Sequence, residues 1–340
     1  MTRLTQAIIN LTRLTSLSTR VLADQGVGTA LVQRPPTFTV PAFINVGIAG
    51  YVAGGYTGSV RVTRIDKITF SADTKTTIAG VLSAAKTKGA AFANSGVAGY
   101  AAGGYSAAAG NYVNAIDKIT FPADTVTAIS TTLSAVNNAP AGFANSAVAG
   151  YAVGGYGAGY IMSTDKITFP ADTRTTISAT LSVTRDSGSG FANSGVAGYA
   201  AGNDVNVTSI NKITFPADTL SALSATLTTG ASETAGLANS GVAGYVAGGN
   251  DGANLNRVDK ITFPADSKTV LSATLTSVVQ SPAAFANSGV AGYVAGGTDN
   301  SANLDRVDKI TFPADSKSTL SAVLTGTITR CYGFADSGVL

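Results

Sequence analysis

Residues 242–249 read Val-Ala-Gly-Tyr-Val-Ala-Gly-Gly. They are followed by Asp-Lys-Ile-Thr-Phe-Pro-Ala-Asp at 259–266, Leu-Ser-Ala-Thr-Leu at 271–275 and Phe-Ala-Asn-Ser-Gly at 285–289. This unit recurs with small changes six times in the chain of 340 residues. The tyrosines of its Gly-Tyr step stand 46 to 51 residues apart, at Tyr51, Tyr100, Tyr151, Tyr199, Tyr245 and Tyr293. A repeat of this length is typical of folds built from one structural unit used many times.

Each unit contains four segments with β-strand character, labelled A (Phe-Ala-Asn), B (Gly-Tyr-x-x-Gly-Gly), C (Lys-Ile-Thr-Phe) and D (Ile-x-Ala-x-Leu). Segment D alternates apolar and polar residues, as at Ile177, Ala179 and Leu181, and segment C is rich in β-branched and aromatic residues. Asn-Ser-Gly between A and B, and Pro-Ala-Asp-Thr between C and D, are turn sequences. Four strands per unit, repeated six times, predict a β-propeller.

The chain also supplies a means of closing the ring. Residues 334–340, Phe-Ala-Asp-Ser-Gly-Val-Leu, repeat segment A with no B, C or D segment after them. Paired with the B segment that begins near Gly47, they would cover an exposed sheet edge. The expected fold class is therefore all-β, a six-bladed β-propeller of four-stranded blades over residues 43–340. A β-solenoid or an intertwined fibre is the alternative architecture.

Residues 1–34 lie outside the repeats and are interpreted as a separate N-terminal arm. Apolar residues spaced by threes and fours give it one apolar stripe, which predicts a short amphipathic helix: Leu4, Ile8, Leu11, Leu14, Leu17 and Val21. Residues 35–42, with Pro35-Pro36, form a stiff linker. Because an apolar stripe must be covered, we expect the arm to serve attachment or oligomerisation. The other interpretation is a helix packed on its own propeller.

Composition and charge exclude several classes of function. The chain has no His, so it can hold no Ser-His-Asp or Cys-His pair and no HExxH zinc site. Cys331 is the only cysteine, so no disulfide forms within the chain. The net charge of +3 resides in residues 1–34, and the remainder carries 18 basic and 18 acidic side chains, which argues against nucleic-acid binding. No run of about twenty strongly apolar residues occurs, so no membrane insertion is expected.

The double glycine after four apolar residues, with an aromatic residue at a fixed distance downstream, resembles a kelch repeat. Residues 242–249 followed by Phe263 carry that resemblance, although the kelch Trp is absent and its Tyr position holds Ile or Thr. More closely, Asp-Lys-Ile-Thr-Phe-x-Ala-Asp-Thr together with Gly-Tyr-x-x-Gly-Gly resembles repeats of tail-fibre-like structural proteins of tailed phages. The resemblance covers roughly residues 43–340, and it implies a propeller fold and a place in the virion.

Binding is expected on one face of the ring. The A–B and C–D turns hardly change between copies, whereas the B–C and D–A loops differ in length and residue type, so the loop face is the better binding candidate. Six tyrosines are assigned to these variable loops as candidate ligands for a host glycan or receptor: Tyr56, Tyr105, Tyr112, Tyr156, Tyr160 and Tyr332. The other interpretation is that these rings only pack the loops onto the ring.

Catalytic and metal chemistry have weak candidates. Glu233, the only glutamate, and Asp186 in the preceding D–A loop could form a carboxylate pair for glycoside hydrolysis. The Asp of each Pro-Ala-Asp recurs in all six copies and is interpreted as a turn former. Oxygen ligands suitable for calcium stand in register in the fifth and sixth B–C loops, at Asp251, Asn254, Asn256, Asp299, Asn303 and Asp305. Asn and Asp also simply favour turns, and no catalytic residue, metal or cofactor is expected.

The expected function is that of a phage virion structural protein, a tail fibre or receptor-binding protein located in the virion. Its expected partners are other virion proteins through the arm, a host surface glycan or receptor, and further copies of itself, with a trimer favoured. A cellular propeller lectin or scaffold is the alternative, and a polysaccharide hydrolase or lyase is a weaker one.

Overall fold

The computed structural model describes residues 49–203 and 207–337, and these residues form β-strands joined by turns and loops. In chain order the strands are β1 (Ala49–Ala53), β2 (Ile65–Thr69), β3 (Thr74–Thr77), β4 (Lys86–Thr87), β5 (Ala90–Asn94), β6 (Ala98–Ser106), β7 (Asn111–Thr120), β8 (Thr125–Thr132), β9 (Ala141–Asn145), β10 (Ala149–Val153), β11 (Thr164–Thr168), β12 (Thr173–Ile177), β13 (Ser189–Asn193), β14 (Ala197–Ala201), β15 (Ser209–Thr214), β16 (Thr219–Thr226), β17 (Ala235–Asn239), β18 (Ala243–Ala247), β19 (Val258–Thr262), β20 (Ser267–Val270), β21 (Ala283–Asn287), β22 (Ala291–Ala295), β23 (Val307–Thr311), β24 (Ser316–Thr319) and β25 (Tyr332–Ala335).

These strands form six antiparallel blades, and each blade runs A, B, C, D from the axis outward. Blades 2 to 6 are continuous in sequence, and blade 2 carries β4 as an additional short strand on β6. Blade 1 takes its A strand, β25, from the end of the chain, with Gly50 opposite Ala335 and Ala53 opposite Tyr332. The predicted six-bladed propeller and its closure by the C-terminal segment are confirmed. The predicted arm and linker, residues 1–42, lie outside the described residues.

An aromatic sandwich fills each blade interface. The B-strand tyrosine lies between the A-strand ring of its own blade and the C-strand phenylalanine of the next blade. In blade 2, Tyr100 stacks on Phe92 and on Phe169, with both centroid distances at 5.2 Å. Blade 5 has Leu237 in place of the A-strand phenylalanine. Because these rings are buried, they form the main apolar contact between blades.

The glycine before each tyrosine is required by this packing. A Cβ atom on Gly150 would lie 2.0 Å from the Phe92 ring of the preceding blade, and one on Gly198 would lie 1.9 Å from the Phe143 ring. No side chain fits at these positions unless the aromatic ring moves. The repeated Gly-Tyr pair therefore contacts both neighbouring blades. The glycine leaves space for the aromatic ring of the preceding blade, and the tyrosine stacks on the phenylalanine of the next one.

The repeated aspartates do more than form turns. Asp218, at the C–D turn of blade 4, has φ of 54°, a left-handed conformation that Asp tolerates better than most residues. Its Oδ1 accepts a hydrogen bond from the Tyr151 hydroxyl (2.8 Å) and its Oδ2 accepts one from Lys166 Nζ (2.6 Å), both in blade 3. The same three-residue contact, named here the blade latch, joins all six interfaces. Its aspartates are Asp73, Asp124, Asp172, Asp218, Asp266 and Asp315.

The outer D strands differ from the prediction. They begin directly after the turn, as at Thr173, and their side chains are mostly exposed. In blades 1, 3, 5 and 6 the Ile-x-Ala-x-Leu segment continues beyond the strand into the D–A connection, where its leucine is buried. In these four blades the alternation reflects packing of a connecting loop onto the blade, whereas in blades 2 and 4 strands β8 and β16 include most of the segment, as predicted.

Candidate functional site

The B–C and D–A loops lie together on one face, named here the loop face. Hydrogen bonds between the two kinds of loop hold it, such as Asn138 N–H to Tyr156 O (2.8 Å) and Tyr56 N–H to Thr329 O (2.9 Å). The double glycine starts each B–C loop, and its second glycine, for example Gly155, has φ between 91° and 109° in the five blades that carry the pair. Only glycine adopts this backbone readily. The residue that follows the pair is thereby fixed at the same place in each of these blades.

In blades 1 to 3 this fixed residue is a tyrosine: Tyr56, Tyr105 and Tyr156. Each of them pairs across its own loop with a second residue, and those partners are Arg61, Tyr112 and Tyr160 respectively. Blades 5 and 6 place polar residues at the same two positions, named here the polar arc: Asn250, Asn254, Thr298 and Asn303. One structural position thus carries aromatic residues on one side of the ring and short polar residues on the other.

The tyrosines of blades 1 to 3 form a continuous row, named here the tyrosine strip. Tyr105 and Tyr112 meet edge to face with centroids 6.0 Å apart, Tyr112 and Tyr156 meet at 5.9 Å across the blade boundary, and Tyr156 and Tyr160 meet at 5.2 Å. Arg61 joins Tyr56 to the row, since its guanidinium carbon lies 5.5 Å from the Tyr56 ring centre and 4.3 Å from that of Tyr105. Five of the six predicted tyrosines are brought together.

The strip is accessible and offers polar groups. Tyr160 is 48% exposed, and the other four rings are partly exposed. The Tyr56 hydroxyl donates to Gly58 O (2.6 Å), whereas the hydroxyls of Tyr105, Tyr112 and Tyr156 have no partner within the described residues. Flat apolar rings with free hydroxyls at their edges are suited to stacking on a sugar ring while bonding its hydroxyl groups.

The sixth predicted residue, Tyr332, does not belong to this surface, and its assignment to an exposed loop is wrong. It opens strand β25 and is 1% exposed. Its hydroxyl donates to Gly103 O (2.7 Å), and burial raises its pKa. Since β25 begins two residues before the repeated Phe-Ala segment, Tyr332 occupies a position that the other blades fill with Ala or Ser, and it packs in the core.

The oxygen-rich loops of blades 5 and 6 use their side chains internally. Asp299 Oδ1 accepts hydrogen bonds from the N–H groups of Ser301 and Ala302 (both 2.8 Å), which lower the pKa of Asp299. Asn254 donates to Thr298 O (3.3 Å), and Asp251 accepts from the Thr229 hydroxyl (2.9 Å). Among the described residues there is no group of three or more acidic, His or Cys side chains that could hold a metal ion. The calcium candidates act here as loop and turn formers.

Glu233 lies at the axial mouth of the loop face. There the N–H groups of six residues with φ near 55° bond head to tail around the axis, at Lys88, Ala139, Ser187, Glu233, Ser281 and Arg330. Glu233 bonds Lys88, three blades away, and accepts from the Ser281 hydroxyl (2.5 Å). Burial alone would raise the Glu233 pKa, but Lys88, Ser281 and Arg330 lower it overall. A general acid at neutral pH needs a raised pKa, so Glu233 does not suit the acid role in the carboxylate pair considered with Asp186.

Arg61 is the functional candidate that the sequence reading missed. The sequence contains a signal for Arg61, because it stands in the same loop as Tyr56, a few residues after Gly-Gly-Tyr in blade 1. A loop of this length returns toward its start, and Arg61 pairs there with Tyr56. The predicted attachment residues from Leu4 to Val21 lie outside the described residues.

Comparison with known proteins adds no family. No protein-family model matches the chain, and no curated protein matches it. Within residues 49–203 and 207–337 there is no helix of the length and apolarity needed to cross a membrane.

Proposed function

We propose that this protein is a phage virion structural protein, a tail fibre or receptor-binding protein whose propeller binds a saccharide on the host surface. The observation that carries the proposal is the tyrosine strip, a row of accessible aromatic rings that crosses three blades. The likeness of the repeat to kelch-like repeats in tail-fibre-like virion proteins supports the virion assignment. The division of the chain into arm, linker and ring supports attachment through residues 1–34.

The spacing of the rings suits an extended oligosaccharide better than a single small molecule. Adjacent ring centres lie 5.2 to 6.0 Å apart, and the row runs from Tyr105 in blade 2 to Tyr160 in blade 3. Consecutive sugar units can therefore meet different rings, and several weak contacts then add up to useful affinity. An interface with aromatic anchors and a polar rim is the common pattern for recognition of this kind.

The binding part of the proposal is tested by a triple substitution, Tyr105→Ala, Tyr112→Ala and Tyr160→Ala. Binding to the bacterial surface or to arrayed glycans should fall at least tenfold, since each ring is expected to contribute about 1 kcal/mol or more. The matched control is Asn250→Ala, Asn254→Ala and Thr298→Ala, which changes equivalent positions of blades 5 and 6, leaves the Asn303 hydrogen bond to Tyr56 O (3.2 Å) in place, and should retain binding. Equal loss from both variants, or no loss from the first, would contradict the proposal.

The virion part is tested by assembly. Mass spectrometry of purified particles should detect the chain, and deletion of residues 1–34 should leave a folded propeller that no longer incorporates. Absence from particles would instead favour a cellular lectin or scaffold. Normal incorporation of the truncated protein would show that the arm does not attach it. Measurable turnover of a bound polysaccharide would favour the hydrolase or lyase.

A further inference from the structure

Arg61 is held firmly, but by aromatic rings rather than by acceptors. The Thr57 N–H to Val60 O and Val62 N–H to Gly55 O hydrogen bonds fold its loop back onto Tyr56. The guanidinium then lies over the Tyr105 ring at 4.3 Å, in contact with the next blade. A cation–π contact uses the flat face of the guanidinium and leaves the N–H groups at its edge available.

The N–H groups of Arg61 have no protein partner in residues 49–203 and 207–337. Within the described residues Arg61 donates no side-chain hydrogen bond and forms no ion pair, and its Nε is buried without an acceptor. Three other arginines of the loop face provide the contrast: each bonds a neighbouring loop and pairs with the first acid of its own C strand. They are Arg64, Arg257 and Arg306. A partly buried guanidinium with unsatisfied donors is a site for an anion, because its hydrogen bonds are strongest with charged oxygen acceptors.

The charged residues of the surrounding loops also favour an anionic ligand at the tyrosine strip. In blades 1 to 3 the segments from the double glycine to the inner part of the C strand, residues 54–64, 103–115 and 154–163, contain no Asp or Glu, and they contain Arg61 and Arg64. In blade 2 this segment includes the ends of β6 and β7. The corresponding loops of blades 5 and 6 carry Asp251, Asp299 and Asp305. An acidic ligand approaching the tyrosine strip therefore meets Arg61 with no carboxylate in these segments, whereas the loops of blades 5 and 6 would oppose it with three carboxylates against Arg257 and Arg306.

We propose that the saccharide bound by the tyrosine strip is anionic, and that Arg61 receives its acidic group in a bidentate hydrogen bond. This proposal rests on the proposed function and names the chemical class of its ligand. A sugar carboxylate and a sugar sulfate or phosphate share the required pair of oxygens. The sugar ring that bears the group lies beside Tyr105, and neighbouring sugars follow the strip toward Tyr160.

The test measures binding of the full-length protein to two pairs of probes matched in backbone. One pair is oligogalacturonate and its carboxyl-reduced form, and the other is dextran sulfate and dextran. At least one anionic probe should bind about tenfold or more tightly than its neutral counterpart, and the stronger pair distinguishes carboxylate from sulfate. Raising the salt concentration should reduce that preference, because ions screen the contact.

Arg61→Gln should weaken binding of the preferred anionic probe about 10- to 100-fold, the loss of a charge-assisted hydrogen bond. It should change binding of the neutral counterpart less than twofold. Arg61→Lys should retain part of the preference, since it keeps the charge and loses the planar fork. Arg257→Gln is the matched control, because it removes one positive charge from blade 5, three blades from Tyr105 of blade 2 on the same face, and should have less than a twofold effect.

The outcomes separate the two proposals. Tyrosine-dependent binding with no preference for either anionic probe would overturn the role of Arg61 and leave saccharide binding intact. Equal losses from Arg61→Gln and Arg257→Gln would reduce the effect to net charge and would also overturn it. Failure of every probe and of glycan arrays to bind would overturn saccharide binding itself.

Discussion

The two faces of the ring are held by different chemistry. On the turn face the same bonds recur from blade to blade. Asn145 Oδ1 accepts from Gly195 N–H (3.0 Å), and Asn193 Oδ1 accepts from Gly241 N–H (2.9 Å) in the next step. On the loop face the equivalent position makes contacts of three kinds with the next blade, and Asn303 repeats the kind made by Asn254. The contact is cation–π from Arg61, edge-to-face from Tyr112 and an amide hydrogen bond from Asn254.

This difference separates stability from recognition. Turn-face residues must satisfy a partner in the next blade, so a change there breaks a bond repeated around the ring. Loop-face residues need only some contact with the neighbouring loop, and several kinds of side chain provide one. The loop face can therefore carry ligand specificity without altering the blades. The predictions below test this separation.

The largest effect is expected from removal of the closing strand, residues 332–340. The deletion exposes the edge of β1 and removes Phe334 from its sandwich with Tyr51 (5.4 Å). We expect a loss above about 5 kcal/mol, so that the protein aggregates or lacks a cooperative transition in circular dichroism. The matched control is Phe334→Leu, which copies blade 5 at Leu237 and should cost about 1.5 kcal/mol or less. A truncated chain with an unchanged melting temperature would refute closure by this strand.

A smaller effect should distinguish a carboxylate of the turn face from one of the loop face. Asp218→Asn keeps an acceptor for the Tyr151 hydroxyl and removes the charge that pairs with Lys166. We expect a loss of about 1–2 kcal/mol in urea unfolding, typical of a charge-assisted hydrogen bond. Asp299→Asn changes an equally charged residue that bonds only within its own loop, and it should alter stability by about 0.5 kcal/mol or less. Equal effects would mean that the two faces contribute alike.

Much of the architecture was predictable, because aligning the six copies of the repeat shows where each unit begins and ends. The six copies and their turn sequences predicted the blades, and the leftover A segment predicted the closing strand. Tyr56, Tyr105, Tyr112, Tyr156 and Tyr160 were assigned to one face from the variability of the loops. The position of Tyr56, Tyr105 and Tyr156 directly after the double glycine in three consecutive copies was visible in the sequence as well, and it indicates a shared structural position.

Contacts between blades were not predictable from the spacing of residues. Asp218 was interpreted as a turn former because its local sequence says so, yet its carboxylate reaches Tyr151 and Lys166, 67 and 52 residues earlier. Tyr332 was misassigned because the repeat pattern begins at Phe334, whereas pairing extends the strand by two residues. In both cases the contact partner of the residue is decided by how neighbouring strands and blades pack. The local sequence pattern does not contain that information.

The smallest effect concerns a turn-face position that departs from the repeat. Asp336 stands where blades 2 to 6 have Asn, and its Oδ1 accepts the Ala49 N–H (2.7 Å). Burial raises the pKa of Asp336 to about 6 although that hydrogen bond lowers it. From about pH 4 to pH 6 the unfolded chain releases a proton that the folded protein retains, so this group lowers stability as pH rises. Asp336→Asn should therefore be more stable than the parent by about 1 kcal/mol at pH 7.5, after allowance for partial solvent screening, and equal to it below pH 4. The measurement is the difference in unfolding free energy between the two proteins across this range, and a difference that is constant with pH would contradict the assignment.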